Sequence, residues 1–89
     1  MTTPDTRLLE FPCDFPIKVM GLASADFDLL VVELVLKHVT ALREGAVQTR
    51  ASKQGKYTSV TITVEATSQA QLDAVYQELS GHARVLMAL

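Results

Sequence analysis

Ser52-Lys53-Gln54-Gly55-Lys56-Tyr57-Thr58-Ser59-Val60-Thr61-Ile62-Thr63-Val64 runs from a tight glycine turn straight into a stretch in which apolar and polar residues alternate. Gly55 supplies the turn. Beyond it Val60, Ile62 and Val64 face one way, and Tyr57, Ser59, Thr61, Thr63 and Glu65 face the other. Such period-2 alternation describes a strand with one buried and one open face, and hence an antiparallel sheet covered on a single side. Before the turn, Val47-Gln48-Thr49-Arg50-Ala51-Ser52 alternates more weakly, as suits an edge strand guarded by basic and polar residues.

Outward from this hairpin, Phe15, Ile17 and Val19 alternate with Pro16, Lys18 and Met20, a half-buried strand that Gly21 ends. From Ser24 to about Leu42, length and polar spacing favour a helix despite the β-branched Val31, Val32 and Val35. Asp26, Glu33, Lys37, Thr40 and Glu44 form one stripe at ~100° per residue, and Phe27, Val31, Leu34, Val35 and His38 the opposite one. Asp26 and Asp28 suit the helix start, and Glu33 with Lys37 makes a supportive i,i+4 pair. Ser68 with Gln71 forms a capping box ahead of Leu72, Val75, Tyr76 and Leu79, and Gly81 stops this second helix. Arg84 to Leu89 closes the chain as a short strand, apolar on both faces.

The order strand, helix, strand, strand, helix, strand gives a ferredoxin-like βαββαβ sandwich: a four-stranded antiparallel sheet of order 4-1-3-2 with both helices on one face. The 89 residues make one domain, with residues 1–13 a partly flexible N-terminal segment in which Leu8, Leu9 and Phe11 cover an edge of the core. So small a core predicts marginal stability or self-association, for example as a homodimer.

Composition narrows the function classes. A net charge of −2 argues against nucleic-acid wrapping. Ser59, Thr61 and Thr63 stand where RNA-recognition domains of this topology carry stacking aromatics. The single cysteine, Cys13, permits no intrachain disulfide and fits a reducing compartment. No apolar run approaches the ~20 residues of a membrane span, and the start lacks a signal pattern, so the chain reads as a soluble cytoplasmic protein with no membrane partner. No cofactor motif is present. Cys13, His38 and His82 lack zinc-like spacing, and Cys13 has no adjacent basic residue to activate its thiol. His38, on the apolar side of the first helix, is expected to be a hydrogen-bonded core or boundary residue and not a ligand or base.

Topology singles out two places that could bind something. The first strand, the hairpin and the second helix all turn at one end of the domain. That end gathers Gly21 and Ser24, the hairpin lysines Lys53 and Lys56, and His82 with Arg84, beside the N-terminus of helix one. It is a candidate end for a small acidic metabolite or a carboxylate-rich protein partner, although Asp26 and Asp28 compete for the same helix terminus. The other place is the open sheet face, with Lys18, Met20, Arg50, Tyr57, Ser59, Thr61 and Thr63, extended by Leu86 and Ala88 on the last strand. Leu29 and Leu36, off the buried stripe of helix one, form a further apolar surface.

Leu9-Glu10-Phe11-Pro12, Lys18-Val19-Met20-Gly21, Lys37-His38, Ser52-Lys53, Gly55-Lys56-Tyr57, Ser59-Val60-Thr61-Ile62 and Tyr76-Gln77-Glu78-Leu79 together resemble the YbeD-like family of small uncharacterised bacterial proteins. The resemblance spans nearly the whole chain. It implies a ferredoxin-like fold similar to ACT regulatory domains, no assigned activity or catalytic residues, and a loose association with lipoate metabolism. Arg43 to Val47 and the inserted Gln54 depart from the family pattern at the hairpin. A non-catalytic regulatory or adaptor module is therefore the leading expectation. The alternative, a small acylphosphatase-like enzyme on the same topology, needs an arginine and an asparagine around bound phosphate, and the chain contains no asparagine. A copper-carrier reading lacks the paired-cysteine loop after strand one.

Overall fold

The computed structural model describes residues 10–52 and 54–89. Six elements follow in order: β1 (Cys13–Leu22), α1 (Phe27–Leu36), β2 (Val47–Ala51), β3 (Tyr57–Ala66), α2 (Gln69–Ser80) and β4 (Val85–Ala88). The sheet order is β2-β3-β1-β4, which read from the β4 edge is 4-1-3-2. All neighbours are antiparallel, and the two long strands pair from Cys13 opposite Ala66 to Leu22 opposite Tyr57. This is the ferredoxin-like α+β architecture.

Alternation places the core. Ile17 and Val19 of β1 and Val60, Ile62 and Val64 of β3 are fully buried, and onto them pack Phe27, Val31 and Val35 of α1 and Leu72, Val75 and Leu79 of α2. Each such side chain contributes about 1.5–3 kcal/mol on leaving water. Among the described residues no helix covers the other face of the sheet.

Helix α2 starts as its sequence dictates, with Ser68 Oγ accepting the Gln71 N–H at 3.0 Å and Gln71 Oε1 accepting the Thr67 N–H at 2.8 Å. Helix α1 is shorter than its periodicity suggests, ending at Leu36 and not near Leu42. Residues 37–40 fold into a turn whose His38 N–H and Val39 N–H both return to the Val35 carbonyl. The expected Glu33–Lys37 pair is replaced by Lys37–Glu78 at 3.4 Å. His38 accordingly lies past the helix and not on its apolar face. Val39 still reaches the core.

Two further boundaries differ from expectation. Cys13 opens β1, half-buried against the core together with Phe11, so the ordered domain begins before residue 14. The expectations for Leu8 and Leu9 fall outside the described residues. On β4, a register shift sets Met20 opposite Met87 but Gly21 opposite Val85, leaving Leu86 as an extra residue. The shift changes which residues face outward: Ala88 sits opposite Val19 and packs on the core, while Met87, opposite Met20, lies on the open face. Leu89, bonded in both directions to the Lys18 backbone at 2.8 and 3.0 Å, continues it.

Candidate functional site

The shared end predicted from topology is present. The Ala23 N–H donates to the Lys56 carbonyl at 2.9 Å, tying the loop after β1 to the β2–β3 turn, and Gly21 lies against the Arg84 carbonyl. Gly21, Ser24 and Arg84 come together here. Lys56 joins through its backbone, with its N–H donating to Ser52 Oγ at 3.0 Å. His82 turns its Nδ1 to the Arg84 N–H at 3.1 Å. Lys53 falls outside the described residues.

Arg84, one of the cations at this end, is already paired. Arg84 places Nη2 2.8 Å from both Asp26 Oδ1 and Ser24 Oγ, with Nη1 3.3 Å from Asp26 Oδ2, and the Ser24 hydroxyl donates to Asp26 as well. The Arg84 guanidinium, supported by the Ser24 hydroxyl, holds the Asp26 carboxyl far below the usual carboxylate range, and Asp26 in turn raises Arg84. Asp28 Oδ1 accepts the Leu29 N–H at 2.9 Å. The competition foreseen at the helix start is thus realised, although Asp26 gives its carboxylate to Arg84 and makes no side-chain capping bond.

The open sheet face differs. Tyr57, Ser59, Thr61 and Thr63 are half-buried along β3, with Lys18 opposite Thr61, Met20 opposite Ser59, and Gln48 and Arg50 of β2 opposite Thr61 and Ser59. Lys18, Gln48, Thr49, Arg50, Ser59 and Thr61 line a polar depression of about 260 Å³. A second, of about 200 Å³, shares Lys18, Arg50 and Ser59 and adds Met20, Ala51, Ser52 and Tyr57. Neither Lys18 nor Arg50 has a carboxylate within ion-pair distance among the described residues. The acids farther along this face are spoken for, since Arg43 reaches Asp14 at 2.9 Å and Glu65 at 3.6 Å. Asp14 lies four residues from Lys18 along β1, roughly 13 Å away, with Glu65 opposite it on β3.

His38 is a hydrogen-bonded boundary residue, its Nε2 2.9 Å from Glu78 Oε1 on α2. That bond, joined by Lys37, lowers the Glu78 carboxyl below its usual range. With His82, Gln77 and Gly81 they line a shallow hollow of about 310 Å³. Among the described residues no three His, Cys, Asp or Glu side chains are grouped to hold a metal ion, and no helix is long and apolar enough to cross a membrane.

Three participants were not foreseen from the sequence. Gln48 sits in a weakly patterned edge strand, and only its register opposite Thr61 brings it to the same depression as Lys18, on the other side of β3. The exposed Met87 and Leu89 were hidden by the β4 register shift, for which the sequence carries no glycine or proline signal.

The family described as "Protein of unknown function (DUF493)" matches residues 6–89 of the chain. A UPF0250 protein of Janthinobacterium sp. (strain Marseille) is 45% identical over 86 residues, covering 97% of this chain and 94% of that protein. One from Leptothrix cholodnii is 49% identical over 85 residues, covering 96% and 93%. Among solved structures, the solution structure of protein HP0495 from H. pylori superposes with a TM-score of 0.76 at 17% identity, covering 100% of this chain and 96% of that one, and at that identity speaks for the fold alone. The chain belongs to this family of uncharacterised bacterial proteins, the YbeD-like family its motifs resemble.

Proposed function

We propose that the protein is a non-catalytic regulatory or adaptor module, working in a reducing cytoplasm, that takes an acidic metabolite or an acidic protein partner on its open sheet face. One observation carries this: Lys18 and Arg50 flank a hydroxyl-lined depression with no carboxylate paired to them among the described residues. Arg84, one of the cations gathered at the other candidate end, is matched by Asp26. An anion arriving at Arg84 must displace a tethered carboxylate, whereas one arriving at Lys18 and Arg50 displaces water. The acylphosphatase-like alternative is weakened by the absence of asparagine from the chain.

The test is a chemical-shift titration of the isotopically labelled protein with glutamate, octanoate and lipoate, the last two chosen for the association with lipoate metabolism that the resemblance implies. Capture of partners from a native lysate and the solution mass accompany it. Saturable shifts centred on Lys18, Arg50, Ser59 and Thr61 support the proposal. Shifts confined to Gly21, Ser24, His82 and Arg84 transfer the role to that end, and turnover of an acyl phosphate makes the protein an enzyme.

A further inference from the structure

Resting on that assignment of the open face, the geometry points to a narrower ligand class: an oxyanion, carboxylate or phosphate, carrying a short apolar arm. The two depressions are contiguous through Lys18, Arg50 and Ser59, yet their remaining linings differ in kind. On one side stand Gln48 and Thr61, donors and acceptors suited to an oxyanion beside an arginine fork. Met20 and Tyr57 stand on the other. Met87, opposite Met20, continues the apolar side toward β4.

Size and charge both favour a ligand that spans the two. At about 260 and 200 Å³, each depression falls below the roughly 300 Å³ at which ordinary ligand pockets begin, and only an occupant of both reaches that range. A bare anion would meet two solvated cations on an exposed surface, where an ion pair contributes little. A neutral apolar molecule would leave both cations unmatched. An amphipathic anion uses both halves: its head neutralises Lys18 and Arg50 while its arm covers Met20 and the Tyr57 ring.

The experiment titrates the labelled full-length chain with inorganic phosphate, ethyl, butyl and hexyl phosphate, hexanol and a poly-glutamate peptide. Hexyl phosphate is expected to shift Lys18, Met20, Arg50, Tyr57 and Ser59 saturably. Affinity should rise about twofold to fourfold per methylene from ethyl to butyl. Lys18→Gln and Arg50→Gln should each weaken binding about twofold to fivefold with spectra otherwise unchanged, and Met20→Ser should flatten the chain-length dependence without altering phosphate binding. Equal affinity for phosphate and all its alkyl esters overturns the amphipathic ligand. So does binding of the peptide at this face without binding of hexyl phosphate, and in that case the face keeps its role. Sheet-face shifts with no probe at all overturn both the ligand class and the face.

Discussion

Replacing Gly21 with alanine separates a packing role from a ligand role at the end where β1, the hairpin and β4 meet. Gly21 follows Ile17 and Val19 on the inward side of β1, and a Cβ built on it would lie 2.5 Å from Phe27 Cε1, 2.6 Å from Cζ and 2.6 Å from the Arg84 carbonyl oxygen. Ordinary carbon contacts settle near ~3.5–4.0 Å, so about 1 Å of movement is required in two directions at once. Neither neighbour is free to give it. Phe27 is fully buried, and Arg84 is anchored through its side chain to Ser24 and Asp26. Overpacking of this kind costs about 1–3 kcal/mol, against which alanine recovers roughly 0.4–1 kcal/mol of unfolded-chain entropy. A net loss of about 1–2 kcal/mol would lower Tm by roughly 4–16 °C in a domain of this size. Urea unfolding followed by circular dichroism measures it. The same substitution in a Phe27→Leu background should cost about 0.5–1.5 kcal/mol less, because the ring edge is gone while the Arg84 carbonyl remains. A Gly21→Ala protein within 0.5 kcal/mol of the parent, or an equal cost in both backgrounds, would refute the packing argument. A stable variant that no longer binds anions would make Gly21 a ligand residue.

Asp26 and Glu78 are both held below their ordinary values of 3.8 and 4.5, so the stability they add is complete above those values and is lost as pH falls through the lower, folded-state ones. Asp26→Asn should therefore unfold at lower urea than the parent at pH 7, with the gap narrowing below pH 3.8; a gap independent of pH contradicts the Arg84 pairing. Ser68→Ala removes the acceptor for the Gln71 N–H and should cost about 1 kcal/mol in urea unfolding, with no cost if the cap is idle. Gln71→Ala also removes the Nε2 donor that meets the His38 carbonyl at 3.0 Å, and should speed amide exchange across residues 37–40 more than Ser68→Ala does.

The parts legible in the sequence are those in which a residue's neighbours in space follow from its own period. Val60, Ile62 and Val64 must share a face because strand geometry leaves no alternative, and the sheet then fixes where Lys18 and Arg50 point. The end of α1 was not legible because it is decided on another helix. Nothing between Leu36 and Gly45 breaks a helix locally, yet Glu78 of α2 takes Lys37 and His38, and Gln71 takes the carbonyl that a further turn would have used. The β4 register is of the same kind: Leu86 carries no mark of being an extra residue, and parity carried forward from Val85 assigns Ala88 to the wrong side. At the candidate site, residue types could be listed from the sequence. Which cation would be matched could not, because Arg84 and Asp26 are 58 positions apart.

That matching decides between the two candidate places. Asp26 is covalently part of the same domain, so any soluble anion competing for Arg84 faces a carboxylate at an effective concentration of millimolar order or higher, already aligned by the Ser24 hydroxyl. A metabolite at cellular levels gains little there, and the guanidinium serves instead to hold the start of α1 against the start of β4. Arg43 plays the corresponding part at the far end of the sheet face, drawing in Asp14 and Glu65. Arg43 thus takes up the carboxylates at one end of the open face and Arg84 the carboxylate before α1, and among the described residues Lys18 and Arg50 have no paired carboxylate. The protein's net charge of −2 hides this distribution. An uncompensated cationic pair over Ser59 and Thr61, bordered by Met20 and Tyr57, offers an incoming amphipathic anion a place where no carboxylate of the described residues competes for it.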